Sequence, residues 1–183
     1  MKKLIILILS IFFLTGCANY HELNDLGIVS SILVDYKDNL FYTTIEVIDE
    51  EEFKTYSGIG NSLTNALNNT LIGSNKYLYY AHLNALILTN NVPIETTLDY
   101  FLRSPETNNT FYLCITEKTD IYDQDKNMGE TLKNILERVY KDNFFDTIKK
   151  LKDKNTDFVL PILDEDLKVS KLNLYKGNKM VTT

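Results

Sequence analysis

The chain is 183 residues long, 44% hydrophobic, with a formal net charge of −6. That length suits one ordinary domain with a real core, or one domain and part of a second, and the hydrophobic share argues against a disordered chain. The acidic balance argues against nucleic acid as a partner, because phosphate binding needs clustered cations. Two histidines and two cysteines, without ligand spacing, argue against a zinc site.

Lys2 and Lys3 precede an apolar run from Leu4 to Phe13, broken only by Ser10, and Leu14-Thr15-Gly16-Cys17 follows. A charged start, a short apolar stretch and small residues before a cleavage point make a secretory signal. The run is too short for a span, which takes roughly 20 apolar residues. Leu-Thr-Gly-Cys resembles the lipobox of bacterial lipoproteins. That likeness predicts a signal peptide over residues 1–16, cleavage before Cys17, and a diacylglyceryl lipid on the Cys17 thiol. Residues 17–25 are then the lipidated cysteine and a polar spacer. Removing Lys2 and Lys3 takes the charge from −6 to −8. Anionic head groups repel such a domain, so the lipid must do the anchoring. Cys114 lies in the apolar run Phe111-Tyr112-Leu113-Cys114-Ile115, where a buried, inert thiol without a disulfide is expected.

The α+β domain is expected over residues 26–183. Leu26 to Asp35 reads as a strand, Tyr36 to Asn39 as a turn, and Leu40 to Ile48 as the returning strand of a hairpin. Phe41, Thr43, Ile45 and Val47 fall on one face of that strand. Asp49 to Glu52 reads as a solvated charge cluster and Ser57-Gly58-Ile59-Gly60 as a flexible link. Ser62 then precedes Leu63, Ala66, Leu67, Thr70 and Leu71 at helical spacing, with Gly73 as the stop. Leu83 to Leu88 reads as a buried strand. Pro93 opens a helix carrying Ile94, Leu98, Phe101 and Leu102, which Ser104-Pro105 ends. Thr110 to Glu117 is a strand, Gly129 to Tyr140 and Phe144 to Lys152 are helices, and Leu167 to Tyr175 is a final strand. The order ββαβαβααβ implies an α+β fold, a mixed β-sheet with helices packed against it.

No catalytic constellation emerges. Gly58 and Gly60 fit neither phosphate-loop spacing, and no serine sits in a nucleophile elbow. Asp123 to Asn127 starts like a calcium loop, but its glycine comes one position late and Asn134 stands where a glutamate is needed. It reads as a polar loop capping the next helix. Tyr77, Tyr79 and Tyr80 cluster before His82. Rings covering the sheet are the simpler reading of that cluster, and a ligand pocket the sharper one. His82 reads as a neutral imidazole at a strand start, since no acid or base partner is identifiable.

Glu22-Leu23-Asn24-Asp25-Leu26-Gly27-Ile28-Val29, directly behind the lipid cysteine, resembles the opening motif of the Ger(x)C spore germination lipoproteins. Tyr80-Ala81-His82-Leu83-Asn84 resembles their aromatic-x-His segment before a buried strand. Leu98-Asp99-Tyr100-Phe101-Leu102-Arg103 resembles their Asp-aromatic-x-x-Arg segment, and Leu172 to Val181 a further one near the end. These proteins are the C subunits of nutrient germinant receptors, and members continue into a large C-terminal domain that these 183 residues do not include. The resemblance implies a non-enzymatic, lipid-anchored subunit outside the spore inner membrane, beside integral membrane subunits. No metal and no cofactor beyond the covalent lipid is expected. The residues matching the family's motifs are Glu22, Asp25, His82, Asp99 and Arg103. Asp99 and Arg103 stand four apart, at the spacing of an ion pair on one helix face. The rival reading is an extracytoplasmic small-molecule-binding lipoprotein serving a transporter, with a pocket lined by Tyr77, Tyr79 and Tyr80.

Overall fold

A computed structural model describes residues 25–49, 52–123, 125–153, 157–176 and 179–181. The signal segment, Cys17 and Glu22 lie outside the described residues. Strands β1 (Leu26–Lys37) and β2 (Leu40–Asp49) form the expected hairpin. Asp38 and Asn39 turn it at φ 53° and 61°, the paired left-handed conformation that matches the twist of two-residue hairpins.

The chain does not relax into a link after the hairpin. It makes a third antiparallel strand, β3 (Glu52–Gly60), along β2. The glycines read as a link serve the next helix, α1 (Leu63–Ile72), which lies close against β3. A Cβ on Gly58 would overlap the Ala66 carbonyl. Ser62 caps α1, accepting from the Asn65 N–H at 3.2 Å. Asp49 is held by Lys54 at 2.9 Å and Lys76 at 3.0 Å, so it is ion-paired rather than merely solvated.

The remaining elements are β4 (Tyr77–Tyr79), β5 (Ala85–Thr89), α2 (Ile94–Arg103), β6 (Tyr112–Thr116), α3 (Met128–Val139), α4 (Phe144–Lys152), β7 (Phe158–Leu163), β8 (Val169–Lys176) and β9 (Lys179–Val181). Among the described residues the strands form one sheet in the order β3-β2-β1-β5-β6-β7-β8-β9, with β4 beside the start of β1. Strands β1, β5, β6 and β7 are parallel, and antiparallel pairs extend both sides. The expected mixed sheet with helices against it therefore forms. It also carries strands β3, β4, β7 and β9, which the expected order ββαβαβααβ lacks.

Helices cover both faces. Leu63, Ala66 and Leu67 of α1, Leu98 and Phe101 of α2, and Phe144 and Ile148 of α4 enter one apolar core. Leu132 and Leu136 of α3 enter a second core on the opposite face, with Leu33, Ile87 and Cys114. Alternation along β5 and β6 feeds both: Leu86 and Leu113 point one way, Ile87 and Cys114 the other. Phe111 stacks on Phe144 at 4.4 Å and meets Phe101 at 5.9 Å. Each ring pair contributes about 1 kcal/mol beyond area burial. The ladder fixes α2 and α4 to the start of β6. Cys114 is fully buried and burial pushes its thiol up, which agrees with an inert cysteine.

Candidate functional site

The buried polar chemistry of this domain centres on Glu46. A β-bulge in β1 between Val29 and Ser31 sets Ser30 and Ser31 facing α3. On the neighbouring strand Glu46 points the same way and is only 1% exposed. Its carboxylate accepts the Met128 N–H at 2.6 Å, the Gly129 N–H at 2.9 Å and the Ser31 hydroxyl at 3.1 Å. Two of the donors are amides of the first turn of α3, which have no partner inside the helix. Ser30 Oγ donates to Asn127 Oδ1 at 2.6 Å, and the same oxygen caps α3 by accepting from Glu130 N at 2.9 Å. The Tyr122 hydroxyl, 3.3 Å from Ser31 Oγ, donates to the Thr44 carbonyl.

Burial pushes the Glu46 carboxyl above its ordinary range, and the bonds from Gly129, Met128 and Ser31 pull it part of the way back. The carboxylate oxygens are aimed at the protein's own amides, so this group fastens a helix rather than facing a substrate. Gly129 belongs to the same fastening. A Cβ there would overlap Ser30, so only glycine lets α3 approach this closely. The polar loop at Asp123 to Asn127 does cap α3, as expected.

The residues singled out from the sequence lie elsewhere. Asp25 is exposed at the start of β1. His82 is exposed in the turn before β5, with its ring 5.7 Å from Tyr79. Asp99 and Arg103 do pair, at 2.7 Å, but their side chains are 53% and 77% exposed. A surface pair of that kind contributes little to stability, so it is not what docks α2. The structure therefore brings Asp99 and Arg103 together and leaves His82 and Asp25 apart from them. Glu46 was missed because it lies on the α3 side of β2, while the periodic signal of that strand comes from its other face, with Phe41, Ile45 and Val47.

Three grooves open on the described surface, and one of them, about 560 Å³, lies along α2 beside Asp99 and Arg103. Another, of about 260 Å³, runs between α1 and α2, lined by Leu67, Leu71, Tyr77, Tyr80 and Tyr100, with Lys76 and Glu106 at its rim. It uses two of the three tyrosines expected of a pocket and adds Tyr100. Tyr79 stands outside it. A further one, about 770 Å³, lies at the ends of β6 and β7 between Glu117, Lys118 and Lys171. No group of three or more metal-ligating side chains occurs among the described residues, and no described helix is long and apolar enough to cross a membrane.

The fold and its fastenings define a three-layer α/β/α domain whose sheet, among the described residues, is covered by three helices on one face and one on the other. The chain belongs to the spore germination protein N-terminal domain family, whose model matches residues 19–165. It is 27% identical over 135 residues to spore germination protein KC of Bacillus subtilis (strain 168), covering 63% of this chain and 33% of that protein. It is 26% identical over 205 residues to spore germination protein GerQC of Bacillus cereus, covering 99% of this chain and 57% of that protein. The chain thus spans a third of one relative's length and just over half of the other's. No solved structure matches it. The likeness to Ger(x)C proteins read from the sequence motifs is confirmed for their N-terminal part.

Proposed function

We propose that this chain acts in spore germination as a lipid-anchored subunit of a nutrient germinant receptor. It works by assembling with integral membrane subunits, not by catalysis. The observation that carries the reading is the family match over residues 19–165, which begins two residues after Cys17 of the lipobox. The signal segment supports export and a diacylglyceryl lipid on Cys17, which would hold the domain on the outer face of the spore inner membrane. The sealed environment of Glu46 supports a structural role for the buried ionisable chemistry. The exposed Asp99–Arg103 pair and the exposed His82 are free to meet partners, and we assign these motif residues to assembly.

Deleting the gene should slow or abolish nutrient-triggered loss of spore refractility for at least one nutrient. An unchanged response to every nutrient tried would sink the reading. The α1–α2 groove favours the rival reading, a small-molecule-binding lipoprotein serving a transporter. Transporter ATPase genes beside this one would support the rival, and genes for multi-span receptor subunits would support the first.

A further inference from the structure

The parallel strands give the domain two poles, one where they start and one where they end. We propose that the strand-start pole rests on the bilayer, with Ile72 and Phe145 dipping into the interface. The inference rests on lipidation of Cys17 as proposed above.

The exposed apolar residues are concentrated at one pole. Among the described residues the large hydrophobic side chains left exposed are Leu71, Ile72, Tyr77, Tyr79, Val139 and Phe145, together with Ile59 and Leu172. The first six share the strand-start pole. Tyr77 and Tyr79 stand beside Leu26 and Ile28 at the beginning of β1. Leu71 lines the same groove as Tyr77, and Ile72, 83% exposed, ends α1 next to it. The Phe145 N–H donates to the Asn109 carbonyl just before β6. Val139 ends α3 beside Tyr140, whose hydroxyl donates to Val159 at the start of β7. Ile59 lies near the end of β3 at the opposite pole, and Leu172 lies within β8. Exposed apolar residues gathered in this way mark a surface that is covered in use. Tyrosines beside aliphatic residues suit a membrane interface, where one end of the ring is apolar and the other wet.

A further observation chooses lipid as the covering. The chain enters the domain at this pole, because β1 starts there, and Cys17 lies eight residues before Asp25. Eight extended residues reach about 28 Å at most, so a lipid on Cys17 keeps this pole near the bilayer. Twelve-residue β1 carries the opposite pole roughly 40 Å away. Apolar exposure and the tether set the same pole on the membrane.

The chain contains no Trp, so one introduced Trp reports alone. The chain from Cys17 onward is coupled through that thiol to maleimide-bearing lipid in phosphatidylethanolamine–phosphatidylglycerol vesicles, Cys114 being buried. This tether works whether or not cells lipidate Cys17. Brominated lipid should quench Ile72→Trp and Phe145→Trp several-fold more strongly than Ile59→Trp, with blue-shifted emission at the first two. Equal quenching at all three positions would overturn the proposal. Unquenched, water-exposed Trp at 72 and 145 would also overturn it and leave the pole to a protein partner. Failure of the anchor itself would show separately, as an unmodified Cys17 in the cellular protein.

Discussion

The two faces of the sheet are held by different physics. On the face of α1, α2 and α4, position comes from apolar packing, with the Phe101–Phe111–Phe144 ladder at its centre. On the face of α3, a smaller apolar core is joined by a buried carboxylate that grips the helix by its first amides. Packing is tolerant, since volume lost at one site is partly recovered by its neighbours. A buried polar fastening is not, because removing one partner strands the others without water. The lesson is that α3 is placed more specifically than its modest apolar contact implies.

The contrast can be broken from either side. The largest loss should come from Phe144→Ala, which removes a fully buried ring from the ladder. Urea unfolding should show about 4 kcal/mol lost. Glu46→Ala should lose about 3 kcal/mol, leaving the Met128 and Gly129 amides buried and unpaired. A loss no larger than a surface substitution gives would mean that the knot fastens nothing.

pH sharpens the same point. Burial raises the folded carboxyl of Glu46 above its ordinary value of 4.5. The folded state therefore holds that proton more tightly than the unfolded chain does. The resulting stabilisation is complete below about pH 4.5 and is lost as pH rises through the folded value. The stability difference between the wild type and Glu46→Gln, followed by urea unfolding from pH 4.5 upward, should move against the wild type. A flat difference would contradict the burial argument. The smallest effect belongs to Arg103→Ala, which should leave the urea midpoint unchanged because its pair with Asp99 stands in solvent.

Much of the apolar face was legible in the sequence. The 3–4 spacing of Leu63 to Leu71 and of Ile94 to Leu102 gave α1 and α2, and the reading Phe144 to Lys152 coincides with α4. Strand β3 was not legible, because Gly58 and Gly60 look like a link until α1 is seen to need the room. Strand β7, Phe-Val-Leu-Pro-Ile-Leu, lacks alternation because both its faces are largely covered, and Pro161 argues against a strand. Strands β4 and β9 have three residues each and no period to read. Of the polar fastening only the capping loop ending at Asn127 was legible, because Ser30, Ser31 and Glu46 lie some eighty to a hundred positions away and meet α3 only in the fold. The motif residues Asp99, Arg103 and His82 were found in sequence. Their exposure was not, since the spacing fits a buried pair and a surface pair equally.

Cys17 is the residue on which the proposed lipid tether of a receptor subunit depends. Spores carrying Cys17→Ala in place of the natural gene should be fractionated and followed for nutrient-triggered loss of refractility. The protein should leave the membrane fraction, and the nutrient response should fall towards that of the deletion. A Cys17→Ala protein that stays with the membrane and supports a normal response would contradict the proposed tether.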